Sequence, residues 1–387
     1  MSSDTFEILD PGMLTSVQDL GRRGYQRFGV PQAGALDAPA MRIANILVGN
    51  REGAAGLEIT AMGPKLRFLA DTMTAIAGAD LGAKLNGEPL PAWRSAAALE
   101  GSILEFGGPE DGLRAYLALA GGIDVPLVMG SRSTYAPYAA QGGFGGFEGR
   151  ALMAGDVLKT FPWEAAGAAG ASDGYGLPDG LLPMAVGHDH EVRVVLGPQE
   201  AAFSSDGVST FLSSRYTVGH QSDRMGYRLE GAEIEHAAGA DIVSDATTLG
   251  SVQVPGDGQP IILLADRGTT GGYAKIATVI TPDISLLAQA APGDTVRFAA
   301  VSVAESRDIL AEQEAIISEV KRAVGLDRSG LFYLVTDGEV RQVVSDSGDR
   351  ITGRGNVPET ESVEVRTMST SGQGHEFEFE IEVRHTD

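Results

Sequence analysis

Apolar positions along this chain fall mostly in short runs, each ended by glycine, proline or a charged turn. Thr74-Ala75-Ile76-Ala77-Gly78, Ser102-Ile103-Leu104-Glu105-Phe106 and Ala115-Tyr116-Leu117-Ala118-Leu119-Ala120 are each long enough for one strand and short for a packed helix. A turn followed by an alternating strand recurs as EGSILEF (100–106), AGDVLKTF (154–161) and PGDTVRF (292–298), as in barrel-closing hairpins. Two segments carry a helical period. Asp37 can N-cap a helix running through Ala38-Pro39-Ala40-Met41 to about Val48, with Gly49 at its end. Residues 305–324 place Ile309, Leu310, Ile316, Ile317 and Val320 on one stripe, stopped by Gly325. The pattern predicts a mainly β protein with few helices.

Composition divides the chain twice. Glu164 to Gly180 is rich in Ala, Gly, Ser and Asp and has no apolar period, which reads as a linker of about 164–185. A second shift follows Gly325. From Leu331 onward there is no lysine, and Glu376 to Val383 alternates acid with apolar residue, as a strand with one wet face does. A β-rich C-terminal extension over 326–387 is expected, of unknown role.

At 387 residues the chain exceeds one ordinary core. A net charge of −23 excludes nucleic acid and anionic membrane surfaces as partners, since both demand a basic face. Zero cysteines exclude disulfides, thiolate nucleophiles and thiolate metal sites. The histidines at 188, 190, 220, 236, 375 and 385 are too scattered for a recognisable zinc site, so no metal is expected. The first residues have neither a basic nor an apolar signal region, and no apolar run of about 18 residues exists. A cytoplasmic protein is the expectation.

The richest chemistry lies in Asp266-Arg267-Gly268-Thr269-Thr270-Gly271-Gly272-Tyr273-Ala274-Lys275, directly after the apolar run Ile261 to Leu264. Of only five lysines, Lys275 alone sits in such a Gly/Thr/Tyr loop. Glycine lets the backbone approach a ligand closely, and the loop suits an anion or a carbonyl. Lys275 is the candidate for a carboxylate or carboxyl donor, with Arg132 or Arg224 beside it. Thr269, Thr270 and the N–H groups of Gly271 and Gly272 are candidates for stabilising an oxyanion, and Tyr273 or Asp266 for proton transfer. Three further segments carry polar side chains in turns: Gln18, Asp19 and Arg22; Ser131 and Arg132; Asp223 and Arg224, with Gln253 preceding the strand to Asp266. Each has a structural alternative, namely satisfying buried backbone or closing a salt-bridged turn. No GxxxxGK[ST] loop, HExxH or GxSxG motif is present, and no lysine flanked by methionines offers a site for covalent biotin.

Five segments taken together, PGMLTSVQDLGRRGYQRFGVPQAGALD (11–37), LALAGGIDVPLVMGSRST (117–134), GRALMAGDVL (149–158), SDRMGYRLEG (222–231) and VQVPGDGQPIILLADRGTTGGYAKIA (252–277), resemble the biotin-dependent carboxyltransferase family. Its members include allophanate hydrolase subunit 2, the C-type subunit of 5-oxoprolinase, and KipA. The resemblance implies two tandem cyclophilin-like β-barrels, 1–185 and 186–325, and carries the family motif onto Gln18, Asp19, Arg22, Asp37, Ser131, Arg132, Asp223, Arg224, Gln253, Asp266, Thr269, Thr270, Tyr273 and Lys275. It implies a KipI-like (allophanate hydrolase subunit 1-like) partner, a 5-oxoprolinase A-like subunit, a small amide substrate, and ATP used by the complex. For a carboxyltransferase, carboxybiotin would arrive on a separate carrier. The implied activity is ATP-dependent opening of 5-oxoproline to glutamate, with carboxyl transfer to urea or guanidine, or KipA-like binding of a kinase inhibitor, as alternatives. The family usually has proline at the position of Ala274, and often lysine at that of Met153.

Overall fold

The computed structural model describes residues 3–136, 142–162, 176–177, 181 and 186–324, and beyond these the backbone of five strands between 331 and 384. The chain divides into two compact units, Met1–Leu326 and Asp327–Asp387. It is mainly β, with a closed barrel.

In the N-terminal half a six-stranded sheet runs in the order Val157–Thr160, Ser3–Asp10, Lys65–Phe68, Ile103–Phe106, Ala83–Leu85, Glu88–Pro89. A five-stranded sheet runs Leu14–Gln18, Gly56–Thr60, Asp111–Leu119, Thr72–Asp80, Arg94–Ala98. Strand alternation explains how they pack. Phe6, Ile8, Leu66, Phe68 and Leu104 from one sheet meet Val17, Leu57, Ile59, Ile76 and Leu117 from the other in one core. The opposite face of the second sheet presents the small residues Ala75, Ala77 and Ala118, on which helix α1 (Ala38–Leu47) lays Ala40, Met41, Ala44 and Leu47. Asp37 caps α1 as its position predicts, its Oδ1 accepting from the Ala40 N–H at 3.0 Å.

The C-terminal half closes a seven-stranded barrel in the order Asp189–Leu196, Lys275–Val279, Ser251–Gln253, Ile261–Leu263, Gly226–Glu230, Arg215–Val218, Thr295–Ala300. Closure comes from a parallel pairing of the first and last of these strands, in register from Asp189↔Thr295 to Val194↔Ala300. Helix α2 (Ser205–Ser213) inserts Phe211 against Phe298, ring centroids 4.3 Å apart. Leu36, from the N-terminal half, is buried in this second core. A two-stranded ribbon, Asp241–Ala246 with Thr270–Tyr273, stands off the barrel and leaves Val243 92% exposed.

A short helix α3 (Ile284–Gln289) precedes the closing strand, and helix α4 (Val303–Ala323) follows it. Helix α4 starts two residues before the predicted 305, because Ser302 and Glu305 form a capping box. Its buried stripe is narrower than predicted: Ile317 and Val320 join the α1 core while Ile316 is exposed. No helix among the described residues is long and apolar enough to cross a membrane. In the second unit, strands run in the order Leu331–Thr336, Glu339–Ser345, Ile351–Gly353, His375–Arg384, Val363–Gly372, so the alternating acidic segment is a strand.

Candidate functional site

Most of the predicted residues fall in three places, and contacts from distant segments decide which goes where. The first is a buried polar seam joining the two halves of the first unit. Arg224 donates through Nε to Asp266 Oδ2 at 2.9 Å, through Nη2 to Asp266 Oδ1 at 3.0 Å and to the Gly34 carbonyl at 2.8 Å, and through Nη1 to Glu58. Glu58 Oε2 also accepts from Tyr116 Oη and the Leu36 N–H, both at 2.9 Å. Arg114 lies 4.0 Å from Glu58 and donates to Tyr227 Oη at 2.6 Å and the Ala288 carbonyl at 2.7 Å. Gln289 of α3 completes the seam, donating to Asp37 Oδ2 at 2.9 Å. Gly34 has φ +93°, and a Cβ there would come within 2.8 Å of the Gly21 nitrogen, so this loop crossing needs glycine.

Burial alone would push the Glu58 carboxyl up, but the Arg224 and Arg114 guanidiniums hold it below its usual range. Asp266, also buried but with one guanidinium, is pushed up. Asp37 is raised to about 6 by burial, against the hydrogen bonds from Gln289 and Ala40. The three carboxylates have both oxygens engaged, while Arg114 Nε is buried without a hydrogen-bond partner. Asp266, 4% exposed with both oxygens engaged by Arg224, joins the halves in this structure, where a proton-transfer role for it and an anion-binding role for Arg224 were expected.

The second place is a clasp around Asp19. Its Oδ1 accepts from the Gly21 N–H at 2.8 Å and from Ser131 Oγ at 2.7 Å, and also from Ser133 Oγ; its Oδ2 accepts from the Arg132 N–H at 2.6 Å. Gln18 spans Ser16 Oγ and the Thr134 carbonyl on one side and the Gly34 N–H on the other. Arg22 is 1% exposed, donates to the Ser133 carbonyl at 2.6 Å and stacks over Phe144 at 4.6 Å, with Nη1 buried and unpartnered. Here Gln18, Asp19 and Ser131 satisfy one another and buried backbone, the structural alternative open at the sequence level.

The third place is an open cleft of about 570 Å³ at the barrel mouth. Of the predicted residues it collects Asp223, Gln253 and Tyr273. Asp223 caps its own turn, accepting from the Met225 and Gly226 N–H groups at 2.7 and 3.2 Å. Gln253 reaches across the barrel edge and donates to the Tyr273 carbonyl at 3.3 Å. A Cβ on Gly271 would meet the Gln253 amide nitrogen at 2.3 Å, so a larger residue there would displace the Gln253 amide. Tyr273 is 41% exposed, at the rim.

The cleft also holds Arg267, His220, Gln221, Ser222 and Arg228, none predicted. Arg267 is 3% exposed, donates Nη1 to the Leu264 carbonyl at 3.1 Å and leaves Nε buried without a partner. Burial pushes its guanidinium down to about 10, and no carboxylate offsets that. The fold turns Asp266 into the seam and its sequence neighbour Arg267 to the cleft. Lys275 does not line the cleft. Its ammonium, 2% exposed, donates to Asp245 Oδ2 at 2.8 Å and the Ala246 carbonyl at 3.1 Å, fastening the ribbon to the barrel. Thr269 and Thr270 lie at the ribbon's base, where the Thr269 carbonyl accepts from the Thr247 N–H at 3.1 Å. Arg132 lines a different recess.

Residues 28–300 match the carboxyltransferase domain, subdomain A and B. The chain belongs to this carboxyltransferase-domain family. It is 36% identical over 319 residues to the C-type subunit of 5-oxoprolinase from Haemophilus influenzae, covering 82% of this chain and 98% of that protein. To the corresponding 5-oxoprolinase subunit of Escherichia coli it is 37% identical over 318 residues, 81% of this chain and 97% of that one. The crystal structure of the K. lactis urea amidolyase superposes with a TM-score of 0.76 and 30% identity, over 89% of this chain and 22% of that one.

Proposed function

We propose that the chain is the C-type subunit of an ATP-dependent 5-oxoprolinase, and that the cleft holds the substrate carboxylate. Arg267 carries the reading. A buried guanidinium with one unpartnered nitrogen gains a charge-assisted, fork-shaped hydrogen bond when a carboxylate arrives. 5-Oxoproline offers that carboxylate next to a lactam carbonyl. Gln253 and Gly268 line the approach to the carbonyl, next to the Thr269–Gly272 segment, and the Tyr273 phenol at the rim is a group that can move a proton. Near full-length correspondence with the two bacterial 5-oxoprolinase subunits supports this substrate over urea, since the urea amidolyase is matched over only 22% of its length.

ATP hydrolysis belongs to the assembled complex, with a KipI-like subunit and a 5-oxoprolinase A-like subunit as partners. Were the reaction carboxyl transfer, the same cleft would receive the carboxyl group of carboxybiotin from a separate carrier. The reading takes 1–185 and 186–325 as the two barrels and 326–387 as an extension, and the cytoplasm as the location. Co-expression with the neighbouring subunits and assay of 5-oxoproline, urea and guanidine for substrate-dependent ATP turnover tests it, with and without a biotin carrier. Turnover with 5-oxoproline alone is expected; turnover only with urea or guanidine plus carrier would replace it with the carboxylase reading.

A further inference from the structure

The recess that contains Arg132 shares no lining residue with the cleft and has a volume of about 760 Å³. Arg51 and Arg132 both line it, and among the described residues no carboxylate does. That is unexpected for a chain carrying 52 acidic residues. Several other arginines are paired, such as Arg42 with Glu52 and Glu314, Arg150 with Asp156, Arg193 with Asp283 and Arg215 with Asp189. Among the described residues neither Arg51 nor Arg132 forms an ion pair.

The Arg132 side chain is held in place. Its N–H is fixed by Asp19 Oδ2 at 2.6 Å, its carbonyl accepts from the Gly146 N–H at 3.1 Å, and its guanidinium stacks over Phe161 at 4.8 Å. Stacking covers one face of the guanidinium and leaves its edge for in-plane hydrogen bonds. Its Nε is buried and unpartnered. The neighbouring Asn50 amide is spent on the wall, donating to Asn45 Oδ1 at 2.9 Å and the Leu119 carbonyl at 2.8 Å and accepting from the Gly121 N–H at 2.8 Å. The groups left for a ligand are the two guanidiniums.

We propose that this recess is a second binding site, for a small molecule bearing a carboxylate or phosphate held between Arg132 and Arg51. A planar guanidinium fixed as Arg132 is selects oxyanions over neutral ligands. The site works independently of the cleft, so it stands whichever substrate the cleft takes.

Isothermal titration of the full chain at low salt, with inorganic phosphate, pyrophosphate and L-glutamate as separate probes, tests it. One probe should bind with 1:1 stoichiometry, phosphate-type or carboxylate-type according to the natural ligand. Arg51→Gln and Arg132→Gln should each weaken binding about tenfold or more, while Arg267→Gln leaves it unchanged. Arg51→Gln, at an exposed position, keeps the test valid if Arg132→Gln disturbs folding. No heat from any probe at tens of millimolar, binding that Arg51→Gln leaves unchanged, or binding abolished by Arg267→Gln would overturn the proposal.

Discussion

Arg224 and Arg267 are both buried, at 8% and 3% exposure, and both are neighbours of Asp266. They do opposite things. Every nitrogen of Arg224 is used, by two carboxylates and a carbonyl, so it welds the two halves. Arg267 lines the open cleft, has one backbone partner and leaves its buried Nε orphaned, so its desolvation is still uncompensated. A saturated buried charge is structure; an unsaturated one facing a cavity is a demand for a ligand.

The largest test of that contrast is at Glu58. Glu58→Leu leaves Arg224 and Arg114 short of a buried counter-charge and should cost about 3–5 kcal/mol of stability, read from urea unfolding. A loss under about 1 kcal/mol would mean that the seam is not what joins the halves.

Asp37 gives a pH test of the same seam. Its carboxyl is raised to about 6 in the folded protein from 3.8. The folded state therefore binds the proton more tightly, so this contribution is fully present below the unfolded value and is lost as pH rises through the folded one. Between pH 4 and 7 wild type should lose about 2 kcal/mol relative to Asp37→Asn, which does not titrate. Parallel pH–stability curves for the two proteins would refute it.

At the cleft, Arg267→Gln should leave the melting temperature within a few degrees of wild type. In the reconstituted complex it should lower kcat/KM about 100-fold, roughly 2.7 kcal/mol, with most of the effect in KM. A loss in Tm with unchanged kinetics would move Arg267 to the structural side of the comparison.

The smallest effect is expected at Lys275, which clamps the ribbon. Lys275→Met and Asp245→Asn should lower Tm by a similar few degrees and reduce activity alike, since both release the ribbon. Abolished activity in Lys275→Met with normal activity in Asp245→Asn would restore a direct chemical role to the lysine.

Much of the fold was legible in the chain because it depends on local rules. The strands at 72–80, 103–106 and 111–119 follow from short apolar runs, and α1 from Asp37, an early proline and a closing glycine. The motif residues were legible as polar groups on glycine turns, but their division among seam, clasp and cleft was not. Asp19 looked like a ligand group until Ser131, Ser133 and the Arg132 N–H converged on it from more than 100 residues away. Arg267 was not among the candidates, and nothing in the sequence shows that its acidic neighbour pairs elsewhere.

By itself, then, the sequence determined the β-rich class, the positions of the main elements and the family, since periodicity, capping and motif order are properties of neighbouring residues. Only the tertiary structure decided which charged groups are satisfied. That depends on partners brought from distant segments, such as Glu58 to Arg224, and on the desolvation that burial imposes. The same loop of ten residues thus supplies a structural carboxylate, an arginine with an unpartnered nitrogen and a lysine clamp, and no local pattern distinguishes the three.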